Sequence, residues 1–393
     1  MWQNIKNTYH LGRAVVAQRI YHSPASSMIV IGVTGTDGKT TTASMIYHIL
    51  QKAGLTTALI TTVSAKIGDK EYDTGFHVST PDSFALQSYM KKAKDAGVTH
   101  VVLEITSHGL DQHRSYGIPI EVAVLTNVSR EHLDYHKTME RYMRTKASLL
   151  LRAKTAIINK DDASYEFMKE VLGKKPFITY GMSDGANVSP KTVALPSNIK
   201  EDFNKYNMLA SIAVAKSLGL ATNVISKSLQ TFTLPKGRCD TVYDQDFRVI
   251  IDFAHTPHGI ESILKSLTQD EKGRRIIHVF GSAGKRDSGK RHEMGEASSN
   301  YADLTILTAE DPRGELVEHI NREIKKGIDA SHRVKEILDR QEAISYAINY
   351  AKKEDIVVVT GKGHEQSMNF GSGEIPWSDY DAVQTALNTR KNI

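Results

Sequence analysis

Phosphate chemistry is the first thing the residues offer. Val33-Thr-Gly-Thr-Asp-Gly-Lys-Thr-Thr41 places glycines at 35 and 38 ahead of a lysine and two threonines. Such a turn between a strand and a helix lets backbone N–H groups and a helix N-terminus wrap phosphate oxygens. Gly35, Thr36, Asp37, Gly38 and Thr41 would form the wrap, Lys39 would reach the β- and γ-phosphates, and Thr40 or Thr41 would place a hydroxyl on Mg²⁺. The pattern departs from the strict P-loop at one position, where Val33 stands in place of the first glycine. Glu104 closes the apolar run Val101-Val-Leu-Glu104, and a carboxylate at the carboxyl end of a strand can hold a divalent cation beside phosphates. His132 and His136 are spaced as on one face of a helix, superficially like a zinc peptidase. That chemistry needs a glutamate directly after the first histidine, and Leu133 is there instead.

The elements that must position these groups alternate along the chain. Strands are expected at Met28–Val33, Thr57–Thr62, His100–Ile105 and Val122–Asn127, with helices at Lys39–Ala53, Pro81–Ala96, Thr138–Leu151 and Asn204–Leu218. This is the βαβ rhythm of a doubly wound, mostly parallel sheet. Leu234-Pro-Lys-Gly-Arg238 reads as a hinge, followed by strands at Val249–Phe253, Ile276–Phe280, Asp303–Thr308 and Asp355–Thr360. The expected fold is α/β: a P-loop central domain over 28–233, a smaller Rossmann-like domain over 234–393, and a helical extension over 1–27. The stretch from Asp184 to Pro196 is polar and reads as a loop or short hairpin.

Composition bounds the rest. At 393 residues the chain exceeds one compact core, and 40% hydrophobic with 24% charged residues is ordinary globular usage. The net charge of +5 suits anionic substrates, and its lack of clustering argues against nucleic acid. A single cysteine, Cys239, excludes an internal disulfide and a cysteine-based zinc site, so a reducing, cytoplasmic setting is expected. No apolar run approaches the roughly 18 to 20 residues that span a bilayer. Lys6, Arg13 and Arg19 precede the first acidic residue, Asp37, as in a transit peptide, but a packed helix leading into a core strand is the expected reading.

Further motifs follow: Thr126-Asn-Val-Ser-Arg-Glu-His132, Asp252-Phe-Ala-His-Thr-Pro257, Phe280 to Arg291, Glu310-Asp-Pro-Arg313 and Gly361-Lys-Gly-His-Glu365. With the phosphate loop they make the chain, from about Met28 onward, resemble the Mur ligases, ATP-dependent amide-forming enzymes of cell-wall peptide synthesis, and within them the MurE branch. The resemblance implies that Lys39, Thr40 and Asn127 hold ATP and Mg²⁺, two ions being expected. It makes Lys39, Glu104, His132 and Lys146 the catalytic set, with Thr40, Glu104, His132 and a carbamylated Lys146 around the metal. Unmodified, Lys146 would be an exposed helix lysine. Arg238, Asp252 and His255 fall at nucleotide-contacting positions, and Arg313 at the residue that grips the carboxylate of an incoming diamino acid. Thr80, Ser107, Gly361 and Glu365 fall at substrate-binding positions.

Asp37 replaces an asparagine usual in the family, Cys239 and Asp240 replace a hydrophobic residue and glutamate, and Glu310-Asp311 replaces Asp-Asn. Roughly 27 residues before the first strand are too few for the family's UDP-binding domain. A lipid-linked precursor, a partner subunit or a different carboxylate acceptor is therefore an open expectation. The implied reaction activates a carboxylate as an acyl phosphate and passes it to an amino acid, with closure about the Pro235–Arg238 hinge excluding water. A folate-type polyglutamate ligase and a non-catalytic nucleotide-binding subunit are the alternatives.

Overall fold

Two units divide the chain: residues up to Ser129 with His136–Thr233, and Arg130–Tyr135 with Leu234 onward. The computed structural model describes residues 2–72, 74, 80–197, 199 and 201–391. In the first unit eight strands form one sheet: β1 (Ile29–Thr34), β2 (Thr57–Ile60), β3 (Ala65–Ile67), β4 (Lys70–Tyr72), β5 (His100–Glu104), β6 (Val122–Leu125), β7 (Thr155–Asn159) and β8 (Phe177–Tyr180). Their order is β4-β3-β2-β5-β1-β6-β7-β8. The six strands from β2 to β8 run parallel and only β3 and β4 add antiparallel edges.

The central strands read as continuous apolar runs because helices cover both faces of a parallel sheet. Val30, Ile31, Val33, Val101, Val102, Leu103 and Val124 are all fully buried. Strand boundaries lie within two residues of the sequence expectation. The β3–β4 hairpin was not expected, since strands of three residues carrying Lys66, Lys70 and Glu71 give too short a period to read. Helix Trp2–Ile20 belongs to the first unit, burying Ala14 and Ala17 and donating from Asn7 Nδ2 to Asp111 Oδ2 at 2.9 Å.

In the second unit, β9 (Asp240–Asp244), β10 (Arg248–Asp252), β11 (Ile276–Phe280), β12 (Leu304–Leu307), β13 (Val334–Glu336) and β14 (Ile356–Thr360) form a sheet in the order β13-β12-β11-β14-β10-β9. All pairs are parallel except β9–β10. A separate hairpin joins β15 (Ser367–Asn369) to β16 (Glu374–Pro376). The polar composition of β9 and β16 hid both from sequence periodicity. Among the described residues no helix is long and apolar enough to cross a membrane.

The second unit is locked by a buried ion pair. Arg340 donates from Nε and Nη2 to Asp379 at 2.8 Å each, and its Nη1 and Nη2 also reach the carbonyls of Ala309 and Thr360. Removing one partner leaves a buried charge unpaired, which costs about 3–5 kcal/mol, while replacing both by apolar residues is often neutral. Asp379→Ala should therefore lower the urea midpoint by that equivalent, and Arg340→Met with Asp379→Leu should recover most of the loss. A double variant as unstable as the single would show that the backbone contacts of Arg340 dominate.

Candidate functional site

The phosphate loop hangs between the carboxyl end of β1 and the helix Lys39–Lys52. Gly35 and Gly38 have φ of 152° and 77°, and a side chain on either would collide, with Thr126 Oγ1 and with Asn207 Oδ1 respectively. Only glycine therefore fits the loop as folded. The loop is tied down from outside its own sequence: Asn127 O accepts from Thr36 N and Asn127 Oδ1 from Asp37 N, both at 2.9 Å, while Thr126 Oγ1 donates to Asp37 O at 2.6 Å. Tyr142 Oη and Thr36 Oγ1 lie 3.1 Å apart, and Lys39 Nζ donates to Thr36 O at 2.7 Å. Thr41, inside the first helical turn, is buried.

Thr40 and Glu104 meet at the foot of this loop. Thr40 Oγ1 donates to Glu104 Oε2 at 2.9 Å, and Thr62 N lies 3.4 Å from the same oxygen. Glu104 is 1% exposed and makes no ion pair with a described basic side chain. A buried carboxylate beside a hydroxyl, offset only by neutral donors, is a hard-oxygen set that a Mg²⁺ ion fits. Lys146, on helix Met139–Arg152, is 1% exposed rather than the surface lysine expected of it. Its Nζ donates to Gly35 O at 2.6 Å and lies 4.4 Å from the centre of the Tyr142 ring, so the helix delivers it to the underside of the loop.

His132 and His136 do not share a helix face. His132 has a φ of 57° and belongs to the Arg130–Tyr135 segment of the second unit, where its Nδ1 lies 3.6 Å from Glu131 Oε1. His136 is buried in the first unit between His108 and Tyr142, and burial with His108 and Lys146 nearby lowers its pKa to about 4. Among the described residues no three His, Cys, Asp or Glu side chains converge as a metal-binding group. Thr80 and Ser107 flank the short helix Ser107–Asp111: Thr80 Oγ1 accepts from Thr106 N at 3.0 Å, and the Ser107 hydroxyl is buried without a hydrogen-bond partner.

In the second unit, the candidate groups gather at the carboxyl ends of β10 and β14, where Asp252 and Thr360 are register partners. Asp252 accepts from the amides of Cys239 and Ala254, both at 2.6 Å. The Arg238 guanidinium stacks 4.5 Å from the Phe253 ring, and His255 Nδ1 lies 2.9 Å from Phe253 O. Phe253 and His364, 5.0 Å apart between ring centres, complete this cluster; both lie within the sequence motifs, though neither is singled out there as a site residue.

Alongside lies a charged cluster. Arg313 donates to Asp311 Oδ2 at 3.2 Å, Lys362 Nζ pairs with Asp311 Oδ1 at 2.9 Å and with Glu365 Oε2 at 2.5 Å, and Arg313 Nε has no partner. Glu310 is buried with Oε2 unpartnered, in space left open by the missing side chain of Gly361.

Comparison with known proteins places this arrangement. The fold and the loop define a two-unit α/β protein with a phosphate-binding loop at the carboxyl edge of its larger parallel sheet. Family models for the Mur ligase middle domain and the Mur ligase glutamate ligase domain match residues 33–215 and 237–363. The chain belongs to the Mur ligase family. It is 36% identical over 394 residues to the UDP-N-acetylmuramoyl-L-alanyl-D-glutamate–2,6-diaminopimelate ligase of Caldanaerobacter subterraneus, covering 95% of this chain and 81% of that one. The Aquifex aeolicus ligase of the same name is 37% identical, covering 94% and 80%. A solved structure of a ligase of this name superposes with a TM-score of 0.62 at 32% identity, covering 93% of this chain and 79% of the other.

The Glu310 carboxyl carries a pH prediction. Burial pushes its pKa up to about 8, with Asp311 adding to the rise and Lys290, Arg340 and Lys362 opposing it. The folded state thus holds a proton that the unfolded chain releases near the ordinary carboxyl value of about 4.3, so this group's contribution falls as pH rises across that window, by up to about 1.4 kcal/mol per pH unit. Urea unfolding of Glu310→Gln should show a gain over the parent that widens from about pH 5 to pH 8. Parallel curves would mean that the carboxyl is ionised throughout.

Proposed function

We propose that this chain joins a carboxylate of a UDP-N-acetylmuramoyl peptide to the amine of a diamino acid, diaminopimelate being the amine named in its relatives. The observation that carries the reading is the buried Thr40–Glu104 pair at the foot of the phosphate loop, in a chain alike along 95% of its length to ligases of that name. In this reading a carboxylate oxygen attacks the γ-phosphorus of ATP, the bond to the β-phosphate oxygen breaks, and ADP leaves an acyl phosphate. The amine nitrogen then attacks the carbonyl carbon, loses a proton, and expels inorganic phosphate.

Each residue takes a role that its surroundings allow. Gly35 to Thr41 wrap the phosphates, Asn127 fixes the backbone of Asp37, and Lys39 turns from Thr36 O to the γ-phosphate, where charge develops. Thr40, Glu104, His132 and Lys146 as its carbamate would hold Mg²⁺, two ions in all. When bound, the metal supplies charge neutralisation on the phosphate oxygens. Carbamylation would exchange the Lys146 cation, now donating to Gly35 O, for an anionic oxygen donor to the metal. Arg238, Asp252 and His255 would hold the nucleoside, Arg313, Gly361 and Glu365 the amino acid, and Thr80 and Ser107 the peptide.

The test is ADP release with ATP and Mg²⁺ over UDP-muramoyl dipeptide, its fragment without the nucleotide, and folate, each against diaminopimelate, lysine and glutamate. Turnover is expected with the UDP-dipeptide and a diamino acid, and loss of at least about 10²-fold in Lys39→Ala, the scale of removing a transition-state charge donor. Turnover confined to folate and glutamate would overturn the substrate. Bicarbonate carrying ¹³C should give a carbamate resonance absent from Lys146→Arg, and no resonance in either would remove the carbamate from the site.

A further inference from the structure

The core of the second unit contains a hydrogen-bonded chain that the roles above do not use. His332 Nε2 lies 2.9 Å from Thr305 Oγ1, Thr305 Oγ1 2.7 Å from Ser298 Oγ, Ser298 Oγ 2.8 Å from His278 Nδ1, and His278 Nε2 2.9 Å from Thr360 Oγ1. Ser298, Thr305, His278 and Thr360 are fully buried, and His278 stacks on Phe280 at 4.4 Å. The sheet register builds the line: His278 is the partner of Thr305 on β12 and of Val358 on β14, two residues before Thr360 on the same face. One end is Thr360, immediately before Gly361 and Lys362. The other is half-buried His332, which lines an open cleft of about 670 Å³ with Arg275, Asp303, Asp329, Arg333 and Tyr350.

Such a line can run in only two directions. A hydroxyl has one proton to donate, and a neutral imidazole has one donor and one acceptor nitrogen. Running inward, His332 Nε2–H donates to Thr305, Thr305 to Ser298, Ser298 to His278 Nδ1, and His278 Nε2–H to Thr360, whose own proton is then free for another acceptor. Running outward, every proton reverses and the Thr360 hydroxyl is bound to His278. Protonated His332 has donors on both nitrogens and so permits only the inward direction.

We propose that His278, Ser298 and Thr305 are positioning residues which, in a direction selected by the protonation of His332, set the Thr360 hydroxyl and with it the Gly361–Lys362 segment that takes the amino acid. The last clause rests on the reading of that segment given above. Charges around both ends are compatible with one titrating terminus. Burial and Arg340, itself paired to Asp379, hold His278 neutral with a pKa near 3, so it stays a one-proton link. Burial holds the His332 pKa below the ordinary imidazole value, with Asp303 and Asp329 opposing the fall, and Arg275 and Arg333 share its cleft. Arg275 is already paired with Asp355.

The closing experiment uses the whole chain labelled with ¹⁵N at histidine. Long-range ¹H–¹⁵N spectra report which ring nitrogen of His278 carries the proton. At acid pH His278 should be protonated on Nε2 alone, and the Nδ1–H form should gain population with the midpoint of His332. Thr305→Val, or Ser298→Ala should the first fold poorly, should uncouple the two rings and raise KM for the amine about three- to tenfold at unchanged kcat, the size of one neutral hydrogen bond. Thr305→Ser should restore both. A His278 tautomer that ignores the His332 titration overturns the relay, and a tautomer that follows it with KM unmoved in Thr305→Val overturns the positioning role. Absence of ADP release with any amine in the parent chain would instead defeat the functional reading, the spectra deciding the relay independently.

Discussion

A carboxylate taken out of water without a cation is among the more expensive things a fold can do. The first unit buries the carboxyl of Glu104 with a threonine hydroxyl and a backbone amide as partners, a place that a cation would complete. Everything around it is arranged so that this oxygen pair and the phosphate loop stay in place. Strand β5 carries Glu104 to the sheet's carboxyl edge, where β1, its parallel neighbour, releases the loop one register step away. The loop is held by residues from three other segments: Thr126 and Asn127 after β6, Tyr142 and Lys146 from one helix, and Asn207 from another. Asn127, Thr126 and Lys146 bond backbone atoms of the loop, Tyr142 meets the Thr36 hydroxyl, and Asn207 closes the space beside Gly38, so the loop backbone is fixed from outside its own sequence. A site built this way is preorganised, since little must move when charge arrives.

The second unit solves a related problem with opposite means. Its charges are neutralised within the protein: Arg340 by Asp379, Lys362 by Asp311 and Glu365, Arg313 by Asp311. Asp311 is thus shared between two cations. Glu310 next to it is left over, and the fold accommodates it by keeping its proton. An amino acid entering such a cluster must exchange its own charges for these internal pairs. In the proposed reading, specificity there would follow from which pairs the amino acid can replace without leaving a buried ion alone.

Legibility in the sequence followed physical range. Patterns set by neighbouring residues were readable: the βαβ rhythm, the phosphate loop, and strand Ile276–Phe280 to the residue. Groups whose role depends on distant contacts were not. Lys146 is marked by the resemblance alone, an unmodified lysine there reading as exposed on an amphipathic helix; the fold buries it with Nζ on the carbonyl of Gly35 and over the ring of Tyr142. Thr126 opens a motif that carries the resemblance, but its work of holding Asp37 O is unreadable until the loop is folded against it. The pair His132 and His136 shows the reverse error, a spacing that suggests one helix face where the backbone at His132 turns left-handed and helix begins only at Leu133. Short polar strands such as β3, β4 and β9 escaped because three to five residues with few apolar members hold too little periodicity.

His278 illustrates why a core polar residue is informative. Within Ile-Ile-His-Val-Phe it sits in the middle strand of an apolar run, and a histidine there costs stability unless both ring nitrogens are satisfied. Both are, by hydroxyls on flanking elements, and those hydroxyls are in turn satisfied by others until the line reaches half-buried His332. Apolar residues of similar size would fill the same space without needing four aligned partners. The polar line therefore imposes constraints on β11, β12, β14 and the helix Arg291–Tyr301 at once, and it ends at the strand terminus that presents Gly361. A core that accepts so many mutual requirements is specified in register and not merely in packing.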